Sequence, residues 1–244
     1  MNNFSTTTIT PTILANCFLF NGLDEDGLTA VCQLAKIRKV NTGEFFFHEG
    51  EPAESFFILR SGMVRLLQTT AEGKQVIMNL CGPGDGMSIV VALEEDAVTP
   101  VSAEAIKEAS AYVWDKATIR QLMEMYSIVA INGMRMLADR LQRVQNHYCE
   151  LATERVEQRV ARTLLRLAEQ GGVETDTGIK IDMPLTRQDI AQMTGTTLYT
   201  VSRILSKWEQ IGLVNTGRGK VEIALLQKME FVAESIEDDS AQGT

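Results

Sequence analysis

Polar and cationic side chains recur on one face of a segment near the carboxyl end of the chain. With helical spacing, this face holds Leu198, Tyr199, Ser202, Arg203, Ser206 and Lys207. The apolar residues of the segment fall on the opposite face: Val201, Ile204, Leu205 and Trp208. Guanidinium, ammonium and hydroxyl groups donate hydrogen bonds, the first two most strongly to anions. The segment is therefore predicted to be a helix that packs on one face and binds a polar partner with the other.

A second helix and a tight turn precede this segment. Thr186 followed by Asp189 matches the capping box, so a helix is expected to begin there. Gly195 can take the left-handed conformation that ends a helix, and Thr196 and Thr197 can cap the next one. Two short helices joined in this way form a helix-turn-helix, whose second helix lies in the major groove of DNA. An ordinary helical hairpin is the alternative.

A short hairpin is predicted directly after the two helices. Leu213-Val214 and Val221–Ile223 are apolar runs, and Arg218-Gly219-Lys220 lies between them. Two short strands with a basic tip form the wing of a winged helix.

This part of the chain resembles the C-terminal domain of the Crp/Fnr family of bacterial transcription regulators. The matching segments are Pro184–Ala191, Gly195, Thr200–Leu205 and Gly212–Val214. A second segment, Phe47–Arg65, resembles the opening hairpin of the family's cyclic-nucleotide-type effector domain. The resemblance therefore covers nearly the whole chain.

The predicted fold class is α+β. Turn signals at intervals of about ten residues from Lys39 to Trp114 predict a β jelly roll with a small-ligand cavity. We predict a jelly-roll effector domain with an N-terminal helix at 1–117, a long dimerisation helix at 118–153, a winged helix-turn-helix at 154–230 and an acidic flexible tail at 231–244. The junction from Leu151 to Glu154 is expected to be the hinge between effector domain and DNA-binding domain.

An apolar stripe on the long helix predicts a homodimer. Its members alternate spacings of four and three residues: Ala130, Met134, Leu137, Leu141, Val144, Tyr148 and Leu151. This is the heptad seam of a two-stranded coiled coil, and all but Ala130 are assigned to the dimer interface. A helix that lies on its own β domain is the alternative.

Charge and composition favour a soluble DNA-binding protein. The chain has a net charge of −9, yet residues 154–229 hold 11 Lys/Arg against 9 Asp/Glu, while residues 1–153 hold 12 against 18. No apolar run of about 18 residues and no secretory signal occur, so a cytoplasmic protein without a membrane partner is expected. A cupin-type enzyme would need a His/Glu metal cluster, which two histidines a hundred residues apart do not form; neither an enzyme nor a metal site is predicted.

The resemblance implies roles for individual residues. Phosphate contacts fall to Arg187, Gln188, Lys207, Arg218 and Lys220, and base contacts fall to Thr197, Leu198, Tyr199, Ser202 and Arg203. Many members carry a glutamate where Tyr199 stands, so the inner half-site of the pseudopalindromic operator should differ from the familiar one. Double-stranded DNA and RNA polymerase are the implied partners. A scaffold that binds an effector without transcription activity is the alternative of another class, but it would not explain the winged helix.

The resemblance also implies an effector pocket, for which we assign Gly84, Asp85, Met87, Ser88, Val144 and Gln145. Members that bind cyclic nucleotides have a Gly-Glu pair for the ribose and an Arg-Ser or Arg-Thr pair for the phosphate. Here no Glu follows Gly86, no Arg lies between Arg65 and Arg120, and the stretch contains the acidic residues 94–96. An effector other than cAMP is therefore predicted.

Whether the chain binds one of the family's other cofactors depends on its Cys and His residues. Cys17, Cys32, Cys81 and Cys149 are too scattered for an iron–sulfur cluster and are interpreted as reduced thiols. A haem-dependent sensor of nitric oxide or carbon monoxide, or a redox sensor, stays open as an alternative. Its axial ligands would come from His48, His147, Cys17 or Cys81. A small organic metabolite and the absence of any ligand also stay open.

Overall fold

The structure is a computed structural model that describes residues 4–5, 14, 17–217 and 219–234. The chain divides into two compact units, Met1–Val144 and Gln145–Thr244. Both contain helices and antiparallel sheet, so the predicted α+β class is confirmed. Across the described ranges, no helix is both long and apolar enough to cross a membrane.

The first unit is dominated by β-strands. Its strands are β1 (Phe4–Ser5), β2 (Lys36–Val40), β3 (Phe45–Phe47), β4 (Ser55–Thr69), β5 (Gln75–Cys81), β6 (Gly86–Met87) and β7 (Ser102–Asp115). Its helices are α1 (Glu25–Leu34), α2 (Lys116–Met125) and most of α3 (Ser127–Thr153), and short 3-10 turns lie at Phe18–Phe20 and Ile89–Ala92.

Two long strands, β4 and β7, organise the sheet of this unit. The main strand order is β1-β2-β7-β4-β5, with β3 added to β7 and β6 added to β4. The register of β4 on β7 shifts between Leu59 and Val64, and such bulges bend a sheet toward a closed roll. Gly62 lies in this bend with φ +88°, and a Cβ there would come within 2.3 Å of the Glu108 carbonyl oxygen. Only glycine fits this bend without displacing β7.

Alternation along β4 separates two apolar cores. Phe57 and Leu59 point into a core made almost entirely of strand residues. Phe56 and Ile58 point to the opposite face, where residues from α1, α2 and α3 cover the sheet. Trp114 is fully buried in this second core, and its indole Nε1 donates to the Val31 carbonyl of α1 at 3.1 Å. The roll therefore presents one closed interior and one helix-covered face.

The prediction of one continuous helix over 118–153 is wrong. Helix α2 ends at Met125, Tyr126 has extended dihedrals (φ −121°, ψ 93°), and α3 begins at Ser127. Tyr126 is partly buried against the helix-covered core, so tertiary packing breaks the helix where no proline or glycine does. The long helix that carries the apolar stripe is α3.

The second unit begins within α3 and contains α4 (Val156–Gly171), β8 (Gly172–Thr175), β9 (Gly178–Ile181), α5 (Arg187–Thr194), α6 (Leu198–Gln210), β10 (Val214–Gly217), β11 (Lys220–Ile223) and α7 (Leu226–Glu234). The predicted wing is β10 and β11. The sequence did not predict that the β8–β9 hairpin joins it to form a four-stranded sheet of order β10-β11-β9-β8.

The predicted flexible tail starts too early at 231. Helix α7 continues to Glu234 because Met229 and Ala233 are buried, and α7 packs on α4. Residues 235–244 of the predicted tail lie outside the described residues. The other domain boundaries stay predictions.

Candidate nucleic-acid interface

Local capping builds the turn between α5 and α6 as predicted. The Thr186 hydroxyl accepts from the Asp189 amide at 3.1 Å, and the Asp189 carboxylate accepts from the Thr186 amide at 2.9 Å. Gly195 follows α5 with φ +63°, the left-handed conformation that ends the helix. Thr197 then caps α6, since its hydroxyl accepts from the Thr200 amide at 3.2 Å. The Thr197 hydroxyl, which we assigned to base contacts, therefore also has a capping role.

Helix α6 has one buried and one open face. Val201, Ile204, Leu205 and Trp208 are buried as predicted. On the other side Tyr199 is 76% exposed, Leu198 is about half exposed, and Arg203 is exposed. The predicted base-contacting residues are thus free of the unit's own core, and their DNA contacts stay predictions.

A groove lies between α5, α6 and the wing. It has a volume of about 530 Å³ and is lined by Arg187, Gln188, Leu198, Lys220 and residues of the wing tip. The structure brings these four predicted DNA contacts to one concavity, although they are up to 33 positions apart in the chain. Arg218, which was predicted to contact phosphate, lies outside the described residues.

A carboxylate of α4 contacts two residues of α6. Glu157 Oε1 accepts from the Trp208 indole Nε1 at 2.9 Å and from Lys207 Nζ at 3.2 Å. The first bond satisfies the polar atom of a tryptophan that is 1% exposed. The second pairs Lys207, a predicted phosphate contact, with an anion inside the unit. Because this pair is largely exposed, it contributes little to stability.

Sequence reasoning missed a buried arginine that supports the turn. Arg159 of α4 is 9% exposed. Its Nε donates to the Thr194 carbonyl at 3.0 Å and its Nη1 donates to the Glu154 carbonyl at 2.7 Å. Thr194 is the last residue of α5, so a guanidinium neutralises the carboxyl end of that helix directly before Gly195. A charged residue next to the apolar stripe of α4 was the available signal.

The end of α3 is held against the helix-turn-helix. Glu150 pairs with Arg166 of α4 at 3.2 Å, and Glu154 pairs with Arg162 at 2.7 Å. The Leu151 side chain lies so close to Gly195 that a Cβ there would be 3.0 Å from it. The segment predicted to be a hinge therefore belongs to the second unit, and the two compact units divide upstream, between Val144 and Gln145.

The assigned effector residues lie around a tight turn of the roll. Gly84 has φ +93°, the Asp85 carboxylate accepts from the Gly82 amide at 2.8 Å, and Met87 is buried. Burial raises the pKa of Asp85, although the Gly82 hydrogen bond and the charge of Arg143 oppose the shift. The remaining two assigned residues, Val144 and Gln145, are exposed on α3.

Ser88 combines a left-handed backbone conformation with a buried hydroxyl group. It has φ +63°, a conformation that non-glycine residues rarely adopt, and it is 8% exposed. Its hydroxyl oxygen is buried without a hydrogen-bond partner. A strained residue with an unpaired buried hydroxyl is typical of a binding site.

The space beside Gly86 is filled, and two arginines of the first unit are paired with carboxylates, whereas the charge of Arg143 acts on Asp85. Met136 of α3 and Phe56 fill the space beside Gly86, where a Cβ would lie 2.4 Å from the Met136 methyl group. Glu95, in the acidic stretch, pairs with Arg120 at 2.5 Å. Arg65, the nearest preceding arginine, forms a bidentate pair with Glu104. These guanidinium groups are therefore already paired with carboxylates.

The cysteines and histidines named as candidate ligands lie on different elements of the chain. Burial raises the pKa of Cys17 to about 11 and that of Cys81 to about 12, so both thiols stay protonated and are poor ligands. His48 is exposed against the Phe45 ring, and His147 lies 3.3 Å from a Glu150 oxygen. Within the described ranges, no group of three His, Cys, Asp or Glu residues could hold a metal ion.

The apolar stripe of α3 is largely open to solvent in the single chain. Tyr148 is 72% exposed and Leu141 is 59% exposed, and the other exposed members are Met134, Val144 and Leu151. Leu137 differs, because it is partly buried against the helix-covered core of the first unit. The stripe is thus an apolar surface without a partner in the single chain.

Comparisons with known proteins match both units. Residues 37–126 match the family model of the cyclic nucleotide-binding domain, and residues 158–231 match that of the Crp-like helix-turn-helix domain. The chain is 31% identical over 182 residues to the cAMP-activated global transcriptional regulator CRP of Salmonella typhimurium, with 73% of this chain and 85% of the relative covered. It is 27% identical over 202 residues to a CRP-like cAMP-activated global transcriptional regulator of Mycobacterium tuberculosis, with 83% and 90% covered.

A solved structure of a CRP-family transcriptional regulator from Thermus thermophilus superposes with a TM-score of 0.69 at 27% identity. The superposition covers 81% of this chain and 96% of that one. The similarity therefore extends over both units and most of the length of each relative.

Proposed function

Because the chain belongs to the Crp/Fnr family of DNA-binding transcription regulators, we propose that it binds pseudopalindromic operators as a homodimer, controlled by an effector other than cAMP. It acts in the bacterial cytoplasm, with RNA polymerase as its protein partner at the promoter. The open face of α6 carries the proposal, since its side chains have no role in the unit's own core.

Residues of this face contact bases, and residues of the neighbouring groove contact phosphates. Arg203 is suited to donate two hydrogen bonds to a guanine, the commonest specific contact in the major groove. Leu198 and Tyr199 offer apolar surface to thymine methyl groups. Arg187 and Lys220, which line the groove beside α6, are placed to contact phosphates. The operator should therefore contain a guanine and a thymine-rich step in each half-site.

The exposed stripe on α3 supports the homodimer. Large apolar side chains at heptad spacing are stable in water when a second helix covers them. A two-fold dimer would present two α6 helices to half-sites one turn of DNA apart. The operator symmetry follows from this arrangement.

The turn at Gly84–Ser88 supports a small effector that lacks a cyclic phosphate. Ser88 offers an unpaired hydroxyl, and the guanidinium groups of Arg65 and Arg120 are already paired with carboxylates. The alternative of a haem or redox sensor has less support, because Cys17 and Cys81 are buried with raised pKa values. We therefore favour a small neutral or polar organic molecule.

Selection from random duplex DNA, followed by gel shifts, tests the proposal. We expect wild-type protein to recover a pseudopalindromic site that differs from the one bound by cAMP receptors. Arg203→Ala should weaken binding to this site by about 1–3 kcal/mol, roughly 5- to 150-fold. Lys228→Ala removes the same charge from α7, outside the predicted interface, and should bind nearly as wild type.

Two results would overturn the proposal. Equal affinity of the wild-type protein for selected and random duplexes would show that it binds phosphates electrostatically without reading the sequence. Recovery of the standard cAMP-receptor site would refute the proposed base contacts of Leu198 and Tyr199.

A further inference from the structure

A carboxylate of α6 holds the wing strand β10. Glu209 Oε1 accepts from the Thr216 backbone amide at 3.1 Å and from the Thr216 hydroxyl at 2.9 Å. Thr216 lies one residue before Gly217, where the wing tip begins. One side chain of α6 thus fixes the position of the strand that leads to the tip.

The position of β10 in the sheet explains the need for this contact. Strand β10 is at the edge of the four-stranded sheet, so its outward amides have no neighbouring strand. Glu209 supplies the missing acceptor to one of them, and a carboxylate accepts more strongly than a neutral group. The contact therefore replaces strand pairing at this edge.

Three further hydrogen bonds hold the wing. The Leu185 amide donates to the Gly219 carbonyl of the tip at 3.2 Å. On β11, the Glu222 carboxylate accepts from the Asn215 amide group at 2.9 Å and from the Thr177 hydroxyl of the β8–β9 turn at 2.7 Å. The wing is thus connected to the segment before α5, to α6 and to the β8–β9 hairpin.

The charge of Glu209 opposes the function of the domain in which it lies. Residues 154–229 carry a net positive charge, and a carboxylate beside a polyanion weakens binding by repulsion. If Glu209 contributed only its charge, its removal would strengthen DNA binding. If it positions the wing, removal of its hydrogen bonds would weaken binding instead. The sign of the effect separates the two roles.

We propose that Glu209 is a positioning residue for DNA binding, which fixes the wing against α6 so that the tip and the open face of α6 engage DNA together. The proposal rests on the proposed function. Glu209 itself does not touch DNA; it acts through Thr216 and the tip residues that follow, among them Lys220.

Two matched variants of the full-length protein test this inference. Glu209→Gln and Glu209→Met both remove the charge and both suit a helix, but only Gln keeps an oxygen that accepts from Thr216. Affinity is measured on the selected operator over a series of salt concentrations. We expect Glu209→Gln to bind as tightly as wild type or tighter. Glu209→Met should bind about three- to tenfold more weakly, the range expected for one or two hydrogen bonds.

The salt dependence separates positioning from loss of folded protein. Glu209→Met should show a slope of log affinity against log salt that is smaller by about one, because a phosphate contact of the wing is lost. Equal affinities of the two variants would overturn the proposal. The proposal would also be overturned if Glu209→Met lost affinity with an unchanged salt slope, and if that loss of affinity matched the fraction of protein that thermal unfolding shows to be unfolded. Failure of wild-type protein to prefer any sequence would instead overturn the proposed function.

Discussion

Replacement of Arg159 tests whether a buried guanidinium stabilises the helix-turn-helix. Arg159→Met keeps the length of the side chain and its apolar stem but removes both hydrogen-bond donors. The Thr194 carbonyl is buried and loses its Arg159 donor, whereas the Glu154 carbonyl is partly accessible to water. Loss of the hydrogen bond to Thr194 should therefore cost more free energy than loss of the one to Glu154.

The expected cost follows from these two carbonyls. A buried acceptor left without a partner costs about 1–3 kcal/mol, and a hydrogen bond that water can replace costs less, near 1 kcal/mol. Together they lower the free energy of unfolding of the second unit by about 2–4 kcal/mol. Arg159→Lys keeps one donor group and should fall between wild type and Arg159→Met.

Tryptophan fluorescence reports this unit separately. The chain has two tryptophans, Trp114 in the first unit and Trp208 in the second, so Trp114→Phe leaves Trp208 as the reporter. With an m value of about 2 kcal/mol/M, the urea midpoint of Arg159→Met should fall by about 1–2 M. Arg162→Met is the matched control. Its part-buried pair with Glu154 contributes about 1 kcal/mol.

A urea midpoint for Arg159→Met equal to that of Arg162→Met would refute this reasoning. It would mean that water or a neighbouring donor satisfies the Thr194 carbonyl as well as the guanidinium does. A midpoint for Arg159→Lys below that of Arg159→Met would also contradict it, because the retained ammonium would then be unpaired rather than bonded.

Further predictions concern the turn, the dimer and the thiols. Gly195→Ala should cost about 1–2 kcal/mol, since φ is +63°, and should lower the thermal midpoint more than Gly195→Asn does; equal midpoints would contradict this. Leu141→Asp should convert dimer to monomer in light scattering, and a variant that stays dimeric would refute the α3 interface. Cys149 is exposed and should react with a maleimide in native protein, as followed by mass spectrometry. Cys81 is buried with a pKa of about 12 and should react only after unfolding; rapid labelling in the native state would contradict its burial.

Local signals explain why the helix-turn-helix was predictable. Thr186 with Asp189, Gly195, and the spacing of Val201, Leu205 and Trp208 each act within a few residues of one another. Capping and amphipathic periodicity depend on such short separations, so one sequence is enough to predict them. The same holds for the turn glycines of the roll, whose positive φ angles follow the predicted turns.

Contacts between distant residues were not predictable in this way. Arg159 and Thr194 are 35 positions apart, and Glu157 and Trp208 are 51 apart. A charged residue in a helix is usually exposed. The position of Arg159 next to the apolar stripe of α4 indicates burial, but the sequence does not tell which carbonyl it will meet. The helix break at Tyr126 has the same cause, because its packing against a core made of distant segments overrides the helical pattern around it.

The sequence by itself determined that this chain has a winged helix-turn-helix, a β roll and an α3 helix with a heptad stripe, because capping, turns and periodicity are local. Only the tertiary structure decided how the wing is held. Glu209 meets Thr216 because α6 and β10 run back alongside one another, and the β8–β9 hairpin completes their sheet. Short-range sequence signals thus specify the type of DNA-binding unit, whereas the position of α6 relative to the wing depends on packing between separate elements.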